Sequence, residues 1–214
     1  MQLHPAYEPL PLAVAGGAGG QSVSMVSEFL AEGGRATMGS PEAWARFWKK
    51  RPSSGPWCVA VDTEGTHCSP PLLVQIAVEG SPHVLLEATC GRALSDDLRR
   101  LLADPTIKKI FHAAAGDLRA LGKVRNWDDV QERAKLRWGE NALGMATIAS
   151  ALFGKDFKKD KRLQRSFGVV HPRIALKGTG WLSPAMRDYA ASDAWMTMRI
   201  WAAIGGEITH TRDS

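Results

Sequence analysis

Short apolar runs separated by turn residues set the pattern of the central part of the chain. The runs WCVAVDTE (57–64), LLVQIAV (72–78) and HVLLEA (83–88) predict three consecutive strands, because each is short, apolar and bounded by turn residues. GTHCSPP and EGSP, which lie between them, are typical of turns. A fourth strand is predicted at IKKIFHA (107–113) and a short fifth one at NWDDV (126–130).

Helical spacing of apolar residues marks the segments between and after these strands. Helices are predicted in SPEAWARFWKK (40–50), ALSDDLRRLLA (93–103), GDLRALGKV (116–124), NALGMATIASALFG (141–154) and the long segment 183–206. The first and last begin with Ser-Pro, a serine cap followed by a proline at the first helical position. A three-strand meander followed by alternating helices and strands indicates an α/β fold with a mixed sheet covered on both faces.

The first residues lack this periodicity. Residues 1–38 are rich in Gly, Ala, Pro and Ser and predict a flexible leader with a short helix near 23–31. Residues 39–206 form the predicted domain, and 207–214 a short tail.

Composition restricts the classes of protein. With 44% hydrophobic and 23% charged residues, and no apolar run near the roughly 20 residues of a membrane span, a globular protein without a membrane partner is expected. The N-terminus has no basic region ahead of its short apolar piece, so we expect no secretory signal. Three cysteines without CxxC spacing favour a reducing, intracellular compartment, nucleus or cytoplasm.

Positive charge is concentrated in one segment. The chain has a net charge of +5, and residues 151–177 alone hold eight basic residues against two acidic ones. Phe157 and Phe167 lie in the same segment and offer stacking surfaces beside the charges. The segment is either a solvated face or a surface for a polyanion.

Two carboxylates share a face at the end of the first predicted strand. Side chains alternate along a strand, so Asp62 and Glu64 point the same way and Thr63 points away. At about 4 Å and an effective dielectric near 20, their repulsion is roughly 4 kcal/mol. Something must offset this repulsion, or the two groups lie apart in water.

A third acid lies on the long C-terminal helix. Tyr189 and Asp193 are four residues apart, so they lie on one face, and Asp193 falls within or beside the apolar stripe. Arg187 and Arg199 are displaced around this helix, so Asp193 requires a metal or a distant basic partner. Asp117 follows an apolar strand at a helix start, where the helix dipole alone would explain it.

These segments, in this order, resemble the DEDD 3′→5′ exonucleases of the ribonuclease D and Werner-type branch over residues 57–204. VAVDTEG resembles the first motif (D-x-E), IFHAAAGDLRAL the second, and YAASDAW the third (Y-x-x-x-D). FKKDKRLQRSF resembles the lysine-bearing stretch of the Werner-type branch, whereas RSFGVVHPRIALKGTGW (165–181) replaces its Ser-Asn-Trp segment, which puts the substrate groove in question. A histidine subtype would need His at position 188, which is Asp188, so Tyr189 indicates the tyrosine subtype.

The resemblance implies a ribonuclease-H-like fold, a mixed five-stranded sheet with helices on both faces, with residues 39–206 as the exonuclease domain. It implies two Mg²⁺ or Mn²⁺ ions, with Asp62 bridging them, Glu64 and Asp193 holding the ion that activates water, and Asp117 acting partly through water. Oxygen ligands favour such hard cations. By the same resemblance Tyr189 orients the attacking water.

The expected activity is 3′-5′ exonucleolytic hydrolysis of single-stranded DNA or RNA, releasing nucleoside 5′-monophosphates. Candidate nucleic-acid contacts are Thr63, His112, Lys161 and Arg162; a packed role for His112 and a solvated one for Lys161 and Arg162 stay open. An inert exonuclease-like module that binds nucleic acid or a protein is the alternative, and another nuclease or transposase would not predict Y-x-x-x-D. Processivity or selectivity is expected to rest on an accessory protein or an oligomer.

Overall fold

The computed structural model of the protein describes residues 22–66, 68–90, 92–139 and 144–205. The strands in this part are β1 (Ser22–Ser24), β2 (Arg35–Met38), β3 (Trp57–Glu64), β4 (Leu73–Val78), β5 (His83–Glu87), β6 (Ile107–Phe111), β7 (Trp127–Asp129) and β8 (Asp156–Lys158). The helices are α1 (Met25–Ala31), α2 (Pro41–Trp48), α3 (Asp96–Ala103), α4 (Ala115–Leu121), α5 (Val130–Trp138), α6 (Met145–Phe153), α7 (Lys161–Gly168), α8 (Pro172–Ala175) and α9 (Pro184–Ile204), with a 3₁₀ turn at Thr179–Trp181.

A six-stranded mixed sheet forms the centre, in the order β2-β5-β4-β3-β6-β7. The predicted meander is confirmed, because β3 pairs antiparallel with β4, and β4 antiparallel with β5. The strand β6 pairs with β3 in parallel, and β7 continues in parallel beside β6. The strand β3 therefore lies inside the sheet, and the end of β3 meets the helices that follow in the chain.

Helices cover both faces of this sheet, as predicted. One face packs against α1, α6 and α9, and its core includes Phe29, Ala60, Ile110, Met145 and Trp195. The opposite face packs against α2 and α3 through Trp44, Phe47, Val59, Leu98 and Leu101. The strand β3 contributes to both cores, with Ala60 in one and Val59 in the other, because neighbouring residues on one strand point in opposite directions.

The serine caps expected from the sequence are present at both Ser-Pro helices. The Ser40 hydroxyl accepts the backbone N–H of Ala43 at 3.1 Å, and Ser183 accepts that of Met186 at 3.3 Å. Trp44 and Phe47 on α2 are buried against the sheet, as their spacing predicted. The capped start of α9 fixes where its 21 residues begin to cross the sheet.

The sheet has six strands rather than the expected five, because residues 35–38 add β2. This strand pairs in parallel with β5, aligning Ala36 with Val84 and Met38 with Leu86. Residues 22–38, expected to belong to a flexible leader with a short helix, form β1, α1 and β2. Residues 1–21 of that leader and the predicted tail 207–214 lie outside the described residues.

The three cysteines are free thiols, with Cys90 buried and the other two half-buried. Among the described helices, none combines the length and the apolar character needed to cross a bilayer.

Candidate functional site

Three carboxylates from two elements converge at the end of β3. Asp62 and Glu64 lie on the face of the sheet that packs against α9, and Asp193 comes from α9 itself. One oxygen of each of the three carboxylates lies within 4.8 Å of the others. The structure therefore brings together acids that are about 130 residues apart in the chain.

Tyr189 and Asp193 lie one helical turn apart on α9, and each residue is 2% exposed. Oδ1 of Asp193 has no hydrogen-bond partner among the described residues. The Tyr189 ring is fixed from behind by Phe167, whose ring centroid is 6.1 Å away. Burial of this depth holds both side chains in one orientation toward the carboxylates of β3.

Lys159 is a distant basic partner of Asp193, one of the two alternatives that the sequence predicted. It follows β8, and its Nζ donates to Oδ2 of Asp193 at 2.7 Å. Its charge also acts on the carboxylates of Asp62 and Glu64. The pair joins residues 34 positions apart, so no helical spacing could indicate it.

Asp117 lies beside the three carboxylates but is not one of the group. Its carboxylate accepts a hydrogen bond from the hydroxyl of Thr63, the residue that follows Asp62 on β3. Asp117 is 7% exposed, in the first turn of α4, and its charge acts on Asp62. The hydrogen bond from Thr63 holds the Asp117 carboxylate in place. The metal-binding role of Asp117 stays a prediction.

A cavity of about 310 Å³ opens over the three carboxylates. It is lined by Asp62, Thr63, Glu64, His112, Gly144, Met145, Lys159, Gln164, Tyr189 and Asp193. Of the predicted nucleic-acid contacts, Thr63 and His112 thus lie in the cavity. Lys161 and Arg162 are exposed on α7 and do not line it.

Burial raises the pKa values of all three carboxylates, and repulsion between the acids adds to the shifts of Asp62 and Glu64. Burial first, then the charges of Asp117 and Asp193, hold the pKa of Asp62 well above its usual value. Burial and the charge of Asp62 raise the pKa of Glu64 to about 9. Burial raises the pKa of Asp193 although Lys159 acts in the opposite direction. Protonated acids are the expected response where carboxylates crowd together without a cation.

The negative charge of these carboxylates also shifts the pKa values of Lys159 and Tyr189. Burial lowers the pKa of Lys159, but the charges of Asp193, Asp62 and Glu64 outweigh it, so the net shift is upward. Burial, then the charge of Asp193, raises the pKa of Tyr189 far above its usual value. Lys159 is therefore a cation and Tyr189 a neutral phenol at neutral pH.

The sequence did not single out Lys159, Gln164, Gly144 or Met145 as cavity residues. Lys159 belongs to a run of basic residues, and the sequence predicted only that Asp193 would need a metal or a distant basic partner. Which lysine of the run turns inward depends on how the chain leaves β8. Gly144 and Met145 line the cavity at the point where α6 begins.

The sequence matches a family model described as a 3′-5′ exonuclease over residues 38–209. A comparison with curated protein sequences found no match. The family match spans all three segments that carry the carboxylates.

Several solved structures are similar to this chain. RNase D from Escherichia coli is 23% identical, with a TM-score of 0.61 over 79% of this chain and 44% of the enzyme's own. Trypanosoma brucei RNase D in complex with RNA U12 is 21% identical, with a TM-score of 0.62 over 85% and 65% of the two chains. These likenesses confirm the ribonuclease-H-like fold.

NrnC from Brucella melitensis is 26% identical, with a TM-score of 0.53, over 70% of this chain and 72% of NrnC. NrnC has also been solved with bound Mg²⁺ and bound to pGG.

Proposed function

Since the chain belongs to the 3′-5′ exonuclease family, within the DEDD superfamily, we propose that it hydrolyses single-stranded nucleic acid from the 3′ end and releases nucleoside 5′-monophosphates. The observation that carries the proposal is the convergence of Asp62, Glu64 and Asp193 within 4.8 Å, beside Tyr189 and at the floor of one cavity. Tyr189 in that place supports the tyrosine subtype.

The carboxylates fit divalent cations. They supply only oxygen ligands, and Oδ1 of the buried Asp193 has no hydrogen-bond partner in the described part of the chain. Asp62, Glu64 and Asp193 would hold two Mg²⁺ or Mn²⁺ ions, with Asp117 beside Asp62 as the fourth acid. When bound, such ions neutralise the carboxylates and stabilise the charge of an in-line phosphoryl displacement.

The remaining cavity residues act on the substrate and water. The neutral Tyr189 phenol would donate a hydrogen bond that orients the attacking water, since its raised pKa makes it a poor base. Lys159 holds Asp193 in place through their 2.7 Å ion pair and reduces the negative charge that an incoming phosphate meets. His112, half-buried in the cavity wall, is the candidate contact to the terminal phosphate or sugar.

Two solved relatives suggest the substrates to test. NrnC was solved with pGG and Trypanosoma brucei RNase D with RNA U12. We therefore propose single-stranded RNA, down to dinucleotides, as the first substrate class, with single-stranded DNA as the matched alternative. An intracellular site of action, suggested by the free thiols, and an accessory partner or oligomer stay predictions.

The test is a titration of Mg²⁺ and of Mn²⁺ with 5′-labelled RNA and DNA strands of equal sequence, and with the products separated by chromatography. Asp62→Ala and Asp193→Asn are expected to abolish the release of mononucleotides. Asp188→Asn is the matched control, because Asp188 lies on the same helix and does not line the cavity. Full rates in both cluster variants would contradict the assignment, and metal binding without cleavage would favour an inert binding module.

A further inference from the structure

The excess positive charge of the chain lies in one segment, residues 161–177, which borders the cavity through Gln164. Residues 161–177 contain five basic residues and no acidic one, so the rest of the chain has equal numbers of the two signs. The five are Lys161, Arg162, Arg165, Arg173 and Lys177, and all of them are exposed. Within the described residues, no salt bridge joins any of these five to a carboxylate. By contrast, the nearby Lys155 and Lys158 are both paired with acids.

The same segment exposes apolar side chains. Val169 is 81% exposed, Ile174 55% and Leu176 43%. Large exposed apolar side chains are few among the described residues, and these three lie within eight positions of one another. A single exposed apolar residue is common on protein surfaces. Here, however, three exposed apolar side chains lie in the same segment as five basic residues that form no salt bridge in the described part of the chain.

This surface is attached to the catalytic cavity. Gln164 on α7 lines the cavity, and Phe167, one turn later, packs against Tyr189 and lies 6.3 Å from Trp181 by ring centroids. Ala175 on α8 is fully buried, so both helices are anchored to the body. At its far end the segment is held by Arg92, which donates to the carbonyl of Leu176 at 2.7 Å.

We propose that the upstream surface, formed by Lys161, Arg162, Arg165, Val169, Arg173, Ile174, Leu176 and Lys177, binds the single strand on the 5′ side of the nucleotide being removed. The inference rests on the proposed function, because the 3′ end must enter the cavity for the strand to reach this surface. Exposed cations match the phosphates, and aliphatic side chains between them match the faces of unstacked bases. A membrane surface or a protein partner would not require this placement beside the cavity.

The surface predicts an effect of substrate length. A dinucleotide such as pGG reaches only the cavity, whereas a strand of about 12 nucleotides, within the usual range of single-strand sites, also covers the upstream surface. The longer strand should have the lower KM and the steeper salt dependence. Each phosphate contact contributes about −0.7 to the slope of log affinity against log salt for single strands.

The test compares two triple variants that each remove three positive charges. Arg165→Ala/Arg173→Ala/Lys177→Ala removes the charges from the upstream surface. The control, Arg35→Ala/Arg46→Ala/Lys49→Ala, removes three exposed charges on β2, on α2 and directly after α2. The first variant should raise KM for the long strand at least tenfold and make its salt slope shallower by about 2. The control should leave both values unchanged, and kcat and KM for pGG should stay within twofold in both variants.

A second variant tests contacts to the bases separately from contacts to the phosphates. Val169→Ser/Ile174→Ser should raise KM for the long strand without changing the salt slope, because no charge is removed. Since both side chains are exposed, the fold should not be affected.

The outcomes are distinct. If the wild-type protein releases no mononucleotide from either substrate, the proposed function fails. If it degrades both but the two triple variants behave alike, only the upstream surface is wrong. Conversion of an oligomer to a monomer by Val169→Ser/Ile174→Ser, with KM unchanged, would show that these side chains join copies of the chain and would also overturn the proposal.

Discussion

Lys159 lies against the carboxylates of the cavity, with one hydrogen bond to Asp193 and its charge acting on Asp62 and Glu64. In the metal-free protein, the Lys159 ammonium partly neutralises the negative charge of these carboxylates. Its removal leaves buried carboxylates without compensation, which destabilises a fold more than the pair itself stabilises it.

Lys159→Met should therefore lower the free energy of unfolding of the metal-free protein by about 1–3 kcal/mol at pH 8. Saturating Mg²⁺ should reduce this difference, because the cations then neutralise the same carboxylates. Urea denaturation with EDTA and with Mg²⁺ measures both values.

The exposed Lys161→Met is the matched control and should change the free energy of unfolding by less than about 0.5 kcal/mol. A Lys159→Met protein as stable as the wild type in EDTA would show that Lys159 does not stabilise the carboxylates.

Tyr189 offers a second prediction on the scale of one residue. Tyr189→Phe should lower kcat about 10- to 100-fold, because the hydroxyl that orients the water is lost. KM should stay within twofold and the melting temperature should change little, since the buried ring is kept. Steady-state rates on a short RNA strand measure this, and an unchanged kcat would remove Tyr189 from the reaction.

The residues of the site were predictable to different extents. Asp62, Glu64 and Asp193 belong to short motifs whose strand and helix periods place them on inward faces. Asp117 is likewise in a motif, but no sequence pattern indicates the hydrogen bond that its carboxylate accepts from Thr63. The role of Lys159 could not be predicted, because a run of lysines does not show which of them points toward the carboxylates.

At the scale of the elements, the helix predicted near 23–31 is present as α1, whereas the strands β1 and β2 on either side of it were not predicted. Arg35–Met38 has no strong alternation, and it pairs in parallel with a strand 48 residues further along, so nothing local marks it as a strand. The Gly33-Gly34 pair is part of the glycine-rich composition that predicts a flexible leader. Gly34 in fact lies against the Phe29 ring, where a Cβ would overlap the ring. The absence of a side chain at Gly34 therefore lets the Phe29 ring pack directly against the backbone.

Helix α1 supports the site through α9. Phe29 is fully buried, with its ring centroid 5.5 Å from that of Trp195 on α9. Phe29→Ala should lower the free energy of unfolding by about 3–5 kcal/mol. Its neighbour Leu30, 48% exposed, is the matched control, and Leu30→Ala should change the free energy by less than about 1 kcal/mol. Equal effects of the two substitutions in urea denaturation would show that α1 does not pack on α9.

At the scale of the whole molecule, the acids of the cavity link stability to pH. The pKa of Glu64 is about 9 in the folded protein, and that of Asp117 about 6, where burial is the main cause in both cases. The ordinary values are 4.5 and 3.8, so the folded protein keeps protons that the unfolded chain has released. Stability therefore falls as pH rises wherever the folded state binds more protons.

The free energy of unfolding of the metal-free protein should decrease between about pH 5 and pH 9, with a slope from Glu64 of at most about 1.4 kcal/mol per pH unit. Below pH 4.5, where Glu64 is protonated in both states, its contribution to the slope disappears.

The stabilisation by Mg²⁺ should change in the opposite direction and grow with pH, since the ligands must lose their protons to bind it. Glu64→Gln, which has no proton to lose, should flatten the decrease between pH 6 and 9. Denaturation curves in EDTA and in Mg²⁺ across this range test the linkage, and a metal-free stability that rises with pH would show that these acids do not share one buried site.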